Sequence, residues 1–171
     1  FDFVREDIEY EHTGGGFSYR PDELLAHGQG NCVDQSVLLC SLLESQGFTT
    51  RLYSVTRDGD GHMLAGVWIE TSESQSRIWD SLADYYTSGM GGFQFDFATQ
   101  TPASENARYT IVDPEYSEYP GDISSLVDDG YATHQPSGWE FTDLKRTEKP
   151  VDADASNGES TRERRSSRRT A

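Results

Sequence analysis

The strongest hydrophobic pattern in the chain is the segment NCVDQSVLLCSLLESQGF, where Val33, Val37, Leu38, Leu39, Cys40, Leu42 and Leu43 spread around most of a helical circumference. This predicts a helix over Cys32–Ser45, capped by Asn31, stopped by Gly47 and buried on nearly all sides. Ahead of it, Pro21 followed by Asp22 and Glu23 reads as a helix start, with Leu24, Leu25 and Ala26 as a single buried turn and Gly28 and Gly30 as its end. Residues 1–12 carry apolar side chains at Phe1, Val4, Ile8 and Tyr10, a run short enough to fit a helix or an extended segment.

After the long helix the period changes from 3.6 to two. Thr49–Val55 reads as a strand, Arg57–Gly61 as a turn and His62–Glu70 as a second strand. In the second strand His62, Leu64, Gly66 and Trp68 share one face and Met63, Ala65, Val67 and Ile69 the other, so both faces are expected to be buried. Arg108–Asp113 predicts a third strand with Tyr109, Ile111 and Asp113 on one face, ended by Pro114. Ser124–Val127 predicts a helical turn and Trp139–Leu144 a final strand. Residues 71–107 are too long for a structureless loop in a compact domain and read as an insertion with structure of its own, overhanging the core. From Lys145 the chain is polar and aperiodic, which predicts a disordered tail over 145–171 after a single domain of residues 1–144.

Charge sharpens this division. Residues 1–144 hold six basic and 25 acidic side chains, a balance of −19, whereas residues 145–171 balance at +3. A body so acidic repels phosphates, which argues against nucleic acid as a partner. The same self-repulsion would loosen the fold at low ionic strength, as in a protein of a salt-rich cytoplasm such as that of a haloarchaeon. No apolar run approaches a membrane span, so membrane contact is not indicated, and the Arg-rich tail reads as solvated. The chain begins at Phe1, which leaves open a signal or anchor upstream.

Two cysteines are too few for a disulfide framework, and on one helix Cys32 and Cys40 would be about 12 Å apart, beyond bridging range. Cys40 falls on the apolar surface and reads as packed. Cys32 falls at the helix N-terminus, where free N–H groups and the helix dipole favour a thiolate. Gln29, Gly30 and Asn31 just before it let a substrate carbonyl approach an oxyanion site built partly from the Cys32 N–H. His62 opens a strand after a glycine turn, at the edge of a sheet, where it is placed to act as base; His12, His27 and His134 lack that setting. Asp113 would fix the histidine tautomer, with Asp80 as the competing acid. Each has a plainer reading: a packed cysteine, a histidine in a surface turn, and an Asp-Pro turn. A metal site is not expected, since no pair of His or Cys residues has ligand spacing, and no cofactor is implied.

The order of Cys helix, His strand and Asp strand, in GNCVDQSVLLCSLLESQGF, GHMLAGVWIE and YTIVDPEYSEYPGDI, resembles the transglutaminase-like superfamily over about residues 19–125. The resemblance implies an α+β fold in which a Cys-bearing helix packs on an antiparallel sheet, the papain-like core. It also implies Cys32 as nucleophile, His62 as base and Asp113 as orienting acid, acting on protein or peptide amides. Two departures stand out: Leu64 replaces the usual aromatic residue two after the histidine, and the interval from His62 to Asp113 is lengthened by residues 71–107. The other class consistent with these residues is an inactive domain of the same fold that binds protein or peptide.

Overall fold

The computed structural model describes residues 1–12, 18–68, 72–87, 99–100, 109–135 and 138–147. In chain order the elements are α1 (Asp2–Asp7), β1 (Glu9–Tyr10), α2 (Pro21–His27), β2 (Gln29–Gly30), α3 (Cys32–Ser45), β3 (Thr50–Arg57), β4 (Asp60–Trp68) and α4 (Ser72–Thr87). They continue with β5 (Thr99–Gln100), β6 (Tyr109–Val112), α5 (Ser124–Asp128), β7 (Ala132–Gln135), β8 (Gly138–Phe141) and β9 (Lys145–Thr147). The central sheet runs β5-β6-β4-β3-β9 and every pairing in it is antiparallel. The β3–β4 hairpin turns on Asp58 and Gly59, both at positive φ, the tight turn that Asp-Gly favours.

Two clusters of buried side chains lie against this sheet. In one, Leu52, Ala65, Val67 and Val112 pack with Val37, Leu38, Leu39 and Cys40 of α3 and with Val4, Ile8 and Leu24. In the other, Tyr53, Val55, Leu64, Tyr109 and Ile111 pack with Leu126, Tyr131, Ala132 and Phe141. The alternation along β4 thus buries both faces, as the sequence predicts. Gly66 is required by this packing: a Cβ there would stand 2.6 Å from Tyr53 Cε2.

Three expectations are corrected. In α2 only Leu24 is buried; Leu25 is 47% exposed, because the short helix touches the core along one line and not over a full turn. The domain does not end at 144, since Lys145–Thr147 pairs antiparallel with Leu52–Ser54 and closes the sheet edge, while 148–171 lie outside the described residues. Trp139–Leu144 is not one strand: Gly138–Phe141 pairs with Ala132–Gln135 as a separate hairpin that covers the second cluster. Within the expected insertion, α4 and β5 are described; 88–98 and 101–108 lie outside the described residues. Among the described residues no helix is long and apolar enough to cross a membrane.

Candidate active site

The site forms where β6 stops short. β6 pairs with β4 from Ala65 to Trp68, so among the described residues that side of β4 has no strand partner from Asp60 to Leu64. The helix α3 docks into this gap: Ser36, one turn after Cys32, donates its hydroxyl to the Met63 carbonyl at 3.2 Å. Although His62 shares the Leu64 face, opposite the cluster that holds α3, the thiol reaches it around the open rim.

The start of α3 is held from two directions. Asn31 Oδ1 accepts from the Val33 N–H at 2.8 Å and the Asp34 N–H at 3.2 Å, while Asp34 Oδ2 accepts from the Asn31 N–H at 2.9 Å, a reciprocal capping box. The other Asp34 oxygen accepts from the Tyr19 N–H at 2.6 Å. Gly30 is needed here, because a Cβ would fall 2.7 Å from Leu24 Cδ1 and 2.8 Å from Asp34 Cβ. Parallel pairing of Gln29–Gly30 with Glu9–Tyr10 ties the approach segment to the N-terminal elements. Cys32, half-buried at the first helical position, is fixed by these contacts, and Cys40 is fully buried as expected.

His62 and Asp113 are both buried, at 5% and 1% exposure, and His62 Nε2 lies 2.7 Å from Asp113 Oδ2. The histidine was expected at the sheet edge, and it is there, but closed over: Tyr116 meets its ring edge-on at 4.8 Å and Tyr131 lies at 5.8 Å. Asp113 Oδ1 accepts from the Glu115 N–H at 3.0 Å, so the turn after Pro114 aims the other carboxylate oxygen at the ring. Further along, Asp122 accepts from the Glu118 and Ser124 N–H groups, each at 2.9 Å, and stabilises the loop beneath. Of the two acids the sequence left open, Asp113 is the one against His62; Asp80 is exposed on α4.

A fourth group joins them. Glu115 Oε2 is 3.5 Å from His62 Nδ1, and Cys32 Sγ, a ring nitrogen of His62 and a Glu115 carboxylate oxygen all lie within 4.8 Å of one another. Glu115 carries no sequence signal of its own, since its position depends on the turn after Asp113. Burial pushes its carboxyl up to about 7; Asp113 adds to the rise, while a charged His62 and the Tyr10 hydroxyl oppose it. For His62, burial disfavours the charge, but the Asp113 carboxylate, through its field and its hydrogen bond, outweighs that with help from Cys32 and raises the imidazole to about 10. Burial, then Glu115, pushes the Tyr10 hydroxyl upward.

The family model of the transglutaminase-like superfamily matches residues 1–85, a span containing Cys32 and His62 and ending before Asp113. No curated protein and no solved structure gives a significant match. The match and the architecture agree on the fold, an α+β transglutaminase-like core whose Cys-bearing helix packs on an antiparallel sheet.

Proposed function

We propose that this transglutaminase-like chain is a cysteine-dependent enzyme of acyl transfer, acting on side-chain or backbone amides of proteins or peptides through Cys32, His62 and Asp113. The observation that carries this reading is the buried His62–Asp113 pair, 2.7 Å apart, with the Cys32 sulfur beside the ring. Asp113 holds the Nε2 proton, which leaves Nδ1 to take the proton of the thiol. The thiolate adds to the amide carbonyl, the imidazolium gives its proton to the departing amine, and a thioester remains on Cys32. Water then releases an acid, or a second amine forms a new amide. A sulfur-to-nitrogen separation below 4.8 Å is within the range that substrate binding tightens.

The oxyanion would be met by the Cys32 N–H. Asn31 Oδ1 takes the Val33 and Asp34 N–H groups, whereas the Cys32 N–H has no acceptor among the described residues. Gln29, Gly30 and Asn31 position this turn. Screening peptide amides for amine release, with wild type against Cys32→Ala, tests the reading: all turnover is expected to vanish in the variant, and turnover that persists would refute it. We read the acidic body as a salt adaptation; Tm is expected to rise between low salt and molar KCl, and a flat response would count against it.

A further inference from the structure

We propose that Cys32, His62 and Glu115 form a three-donor site for a divalent transition ion of the Zn2+ class, and that a bound ion withdraws the thiol from reaction. The binding half of this proposal stands on geometry alone; the inhibitory half rests on the reading of Cys32 as nucleophile. Spacing in the sequence hides such a site, because its donors come from the start of α3, from β4 and from the loop after β6, and folding alone brings them within 4.8 Å of one another.

The donor set selects the ion. A thiolate, an imidazole nitrogen and a carboxylate oxygen suit tetrahedral Zn2+ with its fourth position open, whereas Ca2+ and Mg2+ require six or more oxygens. Tetrahedral bonds of about 2.0–2.3 Å set donor separations of about 3.3–3.8 Å, so Nδ1 and Glu115 Oε2, 3.5 Å apart, already stand at the correct spacing. The sulfur, within 4.8 Å of both, would close the rest by side-chain rotation. Among the described residues Glu115 Oε2 is buried without a hydrogen-bond partner, a state costly to a carboxylate oxygen and relieved by a cation.

The surroundings are those of a ligand site as well. His62 Nε2 is bonded to the Asp113 carboxylate, the outer arrangement that orients a metal-binding imidazole and strengthens it as a donor. A cation could approach from the Glu115 side, since Glu115 lines a polar cavity of about 650 Å3 with Glu6 and Glu9, whose carboxylates outnumber Arg5 there; Cys32 and His62 do not line this cavity. On binding, the proton carried by the Cys32–His62 pair, and that of Glu115 where its carboxyl is protonated, pass to solvent, the sulfur, Nδ1 and carboxylate lone pairs go to the ion, and no electron is transferred.

The experiment titrates the metal-free protein with Co2+, whose thiolate charge-transfer absorption reports a sulfur ligand, then displaces it with Zn2+. Alkylation of Cys32 by iodoacetamide, located by peptide mapping, is followed in parallel. A charge-transfer band is expected in wild type and absent in Cys32→Ser. Glu115→Gln, nearly isosteric and checked by its circular dichroism, is expected to raise the Kd for Co2+ at least about tenfold, the lower bound seen even for outer-shell partners. Saturating Zn2+ is expected to slow alkylation at least about tenfold by capturing the thiolate, with EDTA restoring it. No band in wild type, or a Kd unmoved by Glu115→Gln, overturns the proposal. Failure of the enzyme reading looks different: the band and its Glu115 dependence would remain while no amide is turned over.

Discussion

The two faces of the central sheet arise from one alternation of residues and end in different duties. On the α3 side Leu52, Ala65, Val67 and Val112 meet Val37, Leu38, Leu39 and Cys40, a contact of aliphatic and thiol groups. On the other side tyrosines and aliphatics surround a buried imidazole and carboxylate. The first face draws on burial, about 1.5–3 kcal/mol for each large side chain, and so fixes where the helix and its thiol stand. The second tolerates charge because the partners are in place beforehand: Asp113 Oδ1 is already held by the Glu115 N–H when Oδ2 meets His62. One face sets position, and the other sets protonation.

The largest expected effect comes from breaking the second face at its acid. Asp113→Asn keeps the shape but offers an amide where a carboxylate held the Nε2 proton, so the ring can adopt the wrong tautomer. For a proposed triad the expected loss is about 10^2–10^4 in kcat/KM, equivalent to roughly 3–5 kcal/mol of barrier. Asp80→Asn, on exposed α4, is expected to leave kcat/KM unchanged. Amine release from the same peptide amides measures both, and equal losses in the two variants would remove Asp113 from its role.

Next in size is a pH dependence that only the second face can produce. His62 rises from 6.5 to about 10 and Glu115 from 4.5 to about 7, so both hold protons more tightly in the folded chain than in the unfolded one. Each then contributes stability that is complete below its unfolded value and lost as pH climbs to its folded value. The urea midpoint is expected to fall in two overlapping steps, from about pH 4.5 to 7 through Glu115 and from about 6.5 to 10 through His62. Glu115→Gln should erase the lower step alone. A midpoint that climbs with pH across this window would show that the pair is held by something other than proton linkage.

Much of the first face was legible in the sequence. The helix Cys32–Ser45 has its cap, its stop and its apolar surround within one continuous stretch, and the β3–β4 hairpin has Asp-Gly between two alternating runs. Cys32 and His62 could also be placed on their elements by period and order, whereas Asp113, read as the end of a strand, stands one residue past β6. What escaped was tertiary. Leu25 looked buried because the pattern cannot show that α2 touches the core along one line. The hairpin β7–β8 was missed because Thr133, His134 and Gln135 give it no apolar alternation, and β9 because Lys145–Thr147 is an edge strand of polar residues. Glu115 was missed for a deeper reason: its place beside the thiol is decided by the Pro114 turn and the Asp113 hydrogen bond, neither of which has a periodic trace.

The smallest effect is expected on the first face, at the second cysteine. Cys40 has 0% exposure, and its sulfur lies 3.7 Å from the Arg51 carbonyl, between α3 and β3. Iodoacetamide should therefore label Cys32 alone in the native chain and both thiols after unfolding. Replacing Cys40 by Ala removes one sulfur from a closely packed contact, for an expected cost of about 1 kcal/mol read from urea unfolding. Amine release should be unchanged, because Cys40 packs about two helical turns beyond Cys32 and α3 keeps its contacts through Val37, Leu38 and Leu39. If Cys40→Ala altered the alkylation rate of Cys32, the aliphatic face would be governing protonation as well as position, and the separation of duties between the two faces would fail.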